Sequence, residues 1–501
     1  MPLNELFWTG QEVYIKEVFM PVIIGMAIFL PVIIVLFVFG FWRRYRLWKL
    51  GQPENRAENW PARLMTTLAV ALANVRILGV RELYPGLMHS LIFGGTSLLF
   101  LGKIIRLFSF GGLTIPPKSI FLYASLIAEI GAVLILIGGG MALYRRYVRK
   151  PPRLDTQPED TLVFVWAFLL ILTGFMVKGF RIAISDVKPP DWALWSPVGY
   201  LISHVFPIFA AEIKNEILVW HRTLIHAIPA FIFLGYIWVI RSRLQHVLLS
   251  PLNVFFRSRN PKGRLKPIDL EATEVFGVSK IEDFTWKMLL DLDACTRCGR
   301  CQDRCPAHLT EKPLSPKKLV IDLKDHLHAR APQILRARAK GTEPEDIPPL
   351  VGKVIEESVL WTCTTCRSCM EHCPVYIEQL DKIVDLRRYQ VLMEGKFPAE
   401  LNSFFRNMET NSNPWGIGFA SRGEWAEGLD VKLINEHPEA EFLFWVGCAG
   451  SFDDEGKKVA KAMVSIMNKA GLNYAILGTE EKCCGDSARR LGNEYLFQMQ
   501  A

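Results

Sequence analysis

Eight of the eleven cysteines fall in two copies of one spacing, Cys295-x2-Cys298-x2-Cys301-x3-Cys305-Pro306 and Cys363-x2-Cys366-x2-Cys369-x3-Cys373-Pro374, the run that builds a pair of 4Fe-4S clusters. A cubane needs four thiolates at tetrahedral corners. Three of them spaced by two residues wrap one cluster in a tight loop, and the fourth, three residues on, swings to the neighbouring cluster. The spacing therefore assigns Cys295, Cys298, Cys301 and Cys373 to one cluster, and Cys363, Cys366, Cys369 and Cys305 to the other. Each proline stops a helix from continuing through the turn. Four-cysteine zinc modules also use C-x2-C hooks, but they have no need of the whole run twice.

The elements that must carry these loops divide into two unlike halves. Up to about Leu249 long apolar runs dominate; from Arg257 onward the sequence is charged and holds every cysteine. Thiolates free to bind clusters require a reducing compartment, so the second half is expected in the cytoplasm. The formal net charge of +8 is not a nucleic-acid signal, because much of the excess lies beside apolar runs, as in Arg43-Arg44-Tyr45-Arg46 and Arg145-Arg146-Tyr147-Val148-Arg149-Lys150.

Five segments reach the ~20 residues a bilayer span needs: approximately Phe19 to Trp42, Leu87 to Phe108, Ile120 to Tyr144, Leu162 to Ile184 and Ile217 to Ile240. The first is not a signal peptide, since Glu5, Glu12 and Glu17 replace a basic leader and arginines follow it. Placing the basic loops inside puts the amino terminus outside the cytoplasmic (inner) membrane and the segment after the fifth span in the cytoplasm. The basic stretch Pro61 to Arg81 is too short and too charged to cross and is expected as a cytoplasmic surface helix.

Polar residues inside spans are functional candidates, and here they are histidines. His89 opens the second span, His221 and His226 lie in the outer half of the fifth, and His246 follows its inner end. A b-type haem needs two imidazoles at matching depth. His89 and His246 both fall near the cytoplasmic face and form the first-choice axial pair. His226 would lie roughly 30 Å along the fifth helix from His246, and a pairing of His89 with His226 requires different helix ends. His221 is the remaining alternate, and any one of these residues taken alone, like His204, reads equally as an interfacial histidine.

The five-span arrangement, Pro85-Gly86-Leu87-Met88-His89, and Leu244-x-His246-x4-Pro251 followed by Leu252-Asn253-Val254-Phe255-Phe256-Arg257 resemble the gamma-subunit family of respiratory nitrate reductase. The resemblance implies a quinone-reactive cytochrome b with one haem on His89 and His246. That family often carries a further histidine about three turns along the second helix, which this chain lacks.

Residues 258–281, rich in Arg, Lys, Asn, Gly and Pro, read as a linker. The cluster motifs are separated by a long insertion, about Ala307 to Leu360, with a basic helical stretch near His326 to Lys340, so residues 282–395 are expected as a helical two-cluster domain rather than a compact ferredoxin. A connector, 396–440, leads to Glu441-Phe442-Leu443-Phe444-Trp445-Val446, a β-prone run ending at Gly447-Cys448. An amphipathic helix from about Asp453 to Ala470, a second strand near Tyr474 to Leu477 and a Cys483-Cys484-Gly485 turn follow. Adjacent cysteines seldom suit a disulfide with each other, so Cys448, Cys483 and Cys484 read as metal or cluster ligands and candidate catalytic residues, or as ordinary buried thiols.

Cys448-x34-Cys483-Cys484-Gly485 resembles the first part of the cysteine-rich CCG domain of heterodisulfide reductase and of glycolate and lactate oxidation subunits. With the two cluster motifs and Asn413-Pro414-Trp415-Gly416, the soluble half is similar to the heterodisulfide-reductase catalytic subunit. Fusion to a cytochrome b (residues 1–257) most resembles the membrane-bound electron-transfer-flavoprotein:menaquinone oxidoreductases. The resemblance implies an iron–sulfur oxidoreductase with two 4Fe-4S clusters and a haem b. It also implies menaquinone and a cytosolic electron-transfer flavoprotein as partners, with sulfur-linked heterodisulfide chemistry driven by quinol as the alternative, and no nucleic acid. The CCG domain normally carries a later C-x-x-C. Residues 441–501 are therefore expected to be a partial α/β domain in a fragment, with a further cluster there if the protein continues. The fold class expected is mixed: a five-helix transmembrane cytochrome b bundle, a helical two-cluster ferredoxin domain and the partial CCG domain.

Overall fold

Long unbroken apolar stretches satisfy their backbone groups most simply as helices, and the described apolar stretches of the first half do so. In the computed structural model, residues 20–78, 82–110, 118–183, 192–205, 228–230, 232–233, 243–342, 344 and 348–501 are described. They pack as two compact units. The first joins the described residues up to Ser258 with Leu289–Asp303 and His372–Ile377, and the second joins Arg259–Met288, Arg304–Glu371 and Glu378–Ala501.

The first unit contains α1 (Met20–Trp48), α2 (Trp60–Leu72), α3 (Leu83–Phe110), α4 (Lys118–Leu143), α5 (Pro158–Ala183), the short α6 (Pro197–Ser203) and α7 (His246–Phe255). Three segments, Leu83–Ile105, Leu122–Arg149 and Pro158–Phe180, are long and apolar enough to cross a membrane. They match the second, third and fourth expected spans. The expected first span falls on α1, and most of the fifth, with His221 and His226, lies outside the described residues. The α3 and α4 backbones approach closely because small residues line the seam: a Cβ on Gly95 would lie 2.6 Å from the Gly131 carbonyl oxygen, and one on Gly131 2.5 Å from that of Gly95. Such seams take the place of the hydrophobic drive that lipid removes.

Deep in this unit Lys178 of α5 meets Glu129 of α4 at 3.2 Å. Glu129 also accepts the backbone N–H of Val198 at 2.9 Å, so the pair holds the first turn of α6. The surface helix is shorter than expected, since α2 ends at Leu72 and Asn74 turns left-handed (φ 52°), a conformation that terminates helices. Arg63 of α2 donates to the carbonyls of Phe255 and Arg257 at 2.9 and 2.7 Å, and fully buried Asn253 of α7 donates to Asp291 and to the Val375 carbonyl, both at 2.9 Å. Helix α8 (Trp286–Ala294) leads into Cys295.

The second unit holds α9 (Pro306–Leu309), α10 (Pro316–Lys340), α11 (Glu357–Trp361), α12 (Ser368–Glu371), α13 (Gln379–Leu392) and α14 (Glu400–Asn411). The insertion between the cysteine runs is mostly α10. Ser315 caps its start by accepting from Lys318 N at 3.2 Å, and Gly341 (φ 67°) ends it. Residues 258–281 are irregular yet packed, with Leu265, Val278 and Ile281 buried. Beyond α14 come β1 (Phe442–Leu443), α15 (Gly447–Phe452), α16 (Asp454–Lys469), β2 (Tyr474–Ala475), α17 (Asp486–Arg490) and α18 (Glu494–Gln500). The strands pair in parallel, Phe442 with Tyr474, and α16 covers them through Ala460, Val464 and Met467, the βαβ order read from the sequence.

Candidate functional site

The two cysteine loops share one backbone. The second residue after the first cysteine and the residue after the second cysteine have positive φ in both: Arg297 (54°) and Gly299 (74°), Thr365 (56°) and Arg367 (62°). Three of these four are not glycine, and a left-handed non-glycine residue costs of order 1 kcal/mol and persists where the surroundings impose it. Alternating hand turns successive N–H groups toward one concave side, a cradle for an anion.

The thiols divide into two sets, one in each unit. Cys295, Cys298, Cys301 and Cys373 belong to the first, and Cys305, Cys363, Cys366 and Cys369 to the second. Burial, then the charges of Cys298 and Cys295, push Cys373 up to about 12, while its sulfur accepts the Ile377 N–H at 3.3 Å. Burial, then Cys363, Cys305 and Cys366, push Cys369 far up. Cys363 is raised by burial against the pull of Arg387, and accepts the Thr365 N–H at 3.4 Å. Crowded, desolvated thiols that repel one another's charge, each facing backbone donors, are the donor set a polynuclear cation stabilises. Among the described residues no three His, Cys, Asp or Glu side chains close on the position of a single ion. A cubane takes one thiolate per iron at separate corners, so the residues present fit it.

The charges behind the loops differ. In the first, Arg153 grips Glu82 with two 2.6 Å bonds and reaches Asp303 at 3.1 Å. Burial pushes the Glu82 carboxyl up, and Arg153 outweighs it, leaving the pKa below the usual range. Arg297 pairs with Asp155, and Arg300 lies 3.5 Å from Glu82. In the second, Arg387 of α13 is 1% exposed. Its guanidinium donates to the carbonyls of Leu360 (2.8 Å), Cys363 (2.7 Å) and Arg490 (2.9 Å). None of these acceptors is a carboxylate.

In the first unit the His89 and His246 rings lie 6.4 Å apart, centroid to centroid, inclined at 54°. His89 sits about 9 Å along α3 with a buried Nδ1 that has no hydrogen-bond partner, and His246 begins α7. Two metal–nitrogen bonds of about 2 Å plus two ring radii come to about 6 Å, so the spacing of the two imidazoles is one that would let them hold a haem iron between them. His204 instead bonds the Tyr200 carbonyl at 2.9 Å through Nδ1.

The third cluster of thiols surrounds a residue no motif announced. Arg422, 1% exposed, reaches Cys448 Sγ at 3.3 Å and Glu481 at 2.9 Å, and Glu481 accepts the N–H groups of Val446 and Gly447 at 2.9 and 2.8 Å. The hydrogen bond from Cys483, with Arg422 behind it, pulls Cys448 down to about 6, and the same bond with burial pushes Cys483 up. Of this pair Cys448 is the thiol drawn toward its thiolate form, with Cys483 donating to it, while Cys484 is exposed. Asn413 organises the connector loop by accepting Trp415 N and Ile417 N at 3.1 and 3.2 Å. The neighbouring Ser412 carbonyl oxygen lies 3.8 Å from Cys448 Sγ. Sequence reasoning missed Arg422 and Glu481 because they stand 26 residues before and 33 after Cys448, with no pattern linking them.

Loops of this construction belong to iron–sulfur redox proteins, and a 4Fe-4S dicluster domain matches residues 287–374 and a cysteine-rich domain residues 442–501. The chain is 38% identical over 499 residues to the EtfAB:quinone oxidoreductase of Syntrophomonas wolfei, covering 92% of this chain and 68% of the relative. It is 36% identical to a probable iron-sulfur-binding oxidoreductase, FadF, of Bacillus subtilis, covering 92% and 70%. It therefore belongs to the family of heterodisulfide-reductase-like iron–sulfur oxidoreductases. A probable membrane-anchored ferredoxin of Chromohalobacter salexigens is 29% identical over 97% of this chain and 69% of that one, and with the three apolar helices it marks the chain as membrane-associated. One polypeptide of the dihydromethanophenazine:CoB–CoM heterodisulfide reductase of Methanosarcina barkeri is 27% identical over 43% of this chain and 51% of its own. No solved structure matches.

Proposed function

We propose that this oxidoreductase carries electrons from a soluble flavoprotein to the membrane quinone pool, through two 4Fe-4S clusters and one haem b. Cys295, Cys298, Cys301 and Cys373 hold one cluster, Cys305, Cys363, Cys366 and Cys369 the other, and His89 and His246 the haem. The clusters supply one-electron carriers; the chain's residues bury them, donate N–H groups to their thiolates and exclude water. The observation that carries the reading is that one compact unit contains both the Cys295 set and the two facing imidazoles. The membrane helices are read with the amino terminus outside and the cysteine loops in the cytoplasm, where thiols stay reduced. The Syntrophomonas relative, named for EtfAB and quinone, supports an electron-transfer flavoprotein as donor and a quinone, menaquinone on the resemblance, as acceptor.

A second reading has support in one place. The Cys448 thiolate held by Arg422 beside a protonated Cys483 is equipped for thiol–disulfide chemistry, so quinol-driven reduction of a heterodisulfide at this site is the alternative. Purified protein decides between them. Reduction of its centres by a reduced electron-transfer flavoprotein and not by dithiols supports the first reading. The reverse overturns it.

A further inference from the structure

Among the described residues Arg387 is a charge buried without a counter-ion. Leaving a guanidinium at 1% exposure with neutral acceptors only is expensive, and the carboxylates around it are taken by other arginines. Asp385 pairs with Arg388 at 2.9 Å, Glu494 with Arg388 and Arg489 at 2.7 and 3.0 Å, and Asp486 with Arg490 at 2.7 Å. No ion pair of Arg387 occurs among the described residues. Its position is nonetheless tightly fixed: three carbonyls hold the head, the Trp361 ring stacks 5.3 Å from Cζ, and the backbone of residue 387 leaves no room for a Cβ on Gly492 (2.6 Å). The carbonyl nearest its head belongs to Cys363, at 2.7 Å.

We propose that the missing counter-ion is the anionic cluster bound by Cys363, Cys366, Cys369 and Cys305, and that Arg387 is the positioning residue that raises this cluster's reduction potential. A 4Fe-4S core with four thiolates carries net negative charge when oxidised and gains one more on taking up one electron. A fixed cation therefore favours the reduced state, and net charge and hydrogen bonding are the levers that set such potentials. Arg490, whose Nη1 reaches Thr365 Oγ1 at 3.2 Å, adds a weaker charge because Asp486 already offsets it. The inference rests on the ligand assignment proposed above and specifies what tunes one of the two centres.

The test is a potentiometric titration of the clusters followed by electron paramagnetic resonance, with iron analysis of the same samples, for the full chain and for Arg387→Gln and Arg387→Lys. The expected result is full iron content in Arg387→Gln with one of the two cluster potentials lowered and the other unchanged, and both near their original values in Arg387→Lys. Unchanged potentials in an iron-replete Arg387→Gln protein overturn the proposal. Where the Gln variant fails to assemble its clusters, Arg387→Lys decides: a potential that falls despite the retained charge overturns it, and one that stays supports it. Failure of the cluster reading itself would show separately, as iron missing from the unmutated protein.

Discussion

Around the Cys295–Cys301 loop, Arg153, Arg297 and Arg300 each meet a carboxylate, whereas behind the Cys363–Cys369 loop Arg387 meets only carbonyls. The backbones of the two loops are alike down to the placement of their left-handed residues. One spacing of cysteines thus fixes how a cluster is held, and the residues packed behind it, far apart in sequence, fix how strongly it attracts an electron. In the first loop the cations serve mainly to tie helix ends to the loop. In the second the cation is left for the cluster.

The comparison breaks most visibly at the thiols. Cys298→Ser and Cys373→Ser are expected to lose the same centre, about half of the iron, and to leave one identical resonance signal; Cys366→Ser and Cys305→Ser should leave the other. If Cys373→Ser instead leaves the signal of Cys366→Ser, the crossed assignment is wrong. Next in size is the haem, since His89→Ala and His246→Ala should each abolish the reducible α-band while cluster signals persist. A band surviving both replacements would hand the ligation to histidines outside the described residues. Gly299→Ala should cost roughly 1–3 kcal/mol, because a Cβ there meets Arg153 Cβ at 2.7 Å in a left-handed residue, and should speed iron loss to a chelator. Arg367→Gly at the matching position of the second loop should slow that loss by a few tenths of a kcal/mol to about 1. Smallest is Arg300→Gln: with Glu82 already gripped by Arg153, cluster potentials should barely move, and a shift as large as that of Arg387→Gln would erase the electrostatic contrast.

How much of this was legible depends on how far each interaction reaches along the chain. The cysteine runs, the apolar helices, α16 between two short strands and the pairing of His89 with His246 all rest on spacing or on residue type at a known depth. Residues whose role comes from contacts across the fold were invisible. Arg387 is one arginine among several in the charged second half, Arg422 sits in an irregular connector, and Glu82 becomes important only when Arg153, 71 residues on, folds onto it. Asn253 drew notice only as part of a resemblance, yet it ties α7 to Asp291 and Val375. Residues 258–281 looked like a tether from their composition, but the backbone of Lys266 accepts from Arg388 at 2.6 Å, so the stretch is held by partners that local composition does not reveal.

The most direct test of the conduit is anaerobic mixing of the purified protein with a reduced electron-transfer flavoprotein, without quinone, while iron–sulfur resonance and haem absorbance are followed together. The account predicts that both cluster signals and the haem α-band appear, and that added menaquinone analogue then bleaches the band. Clusters that reduce while no haem band develops would contradict it.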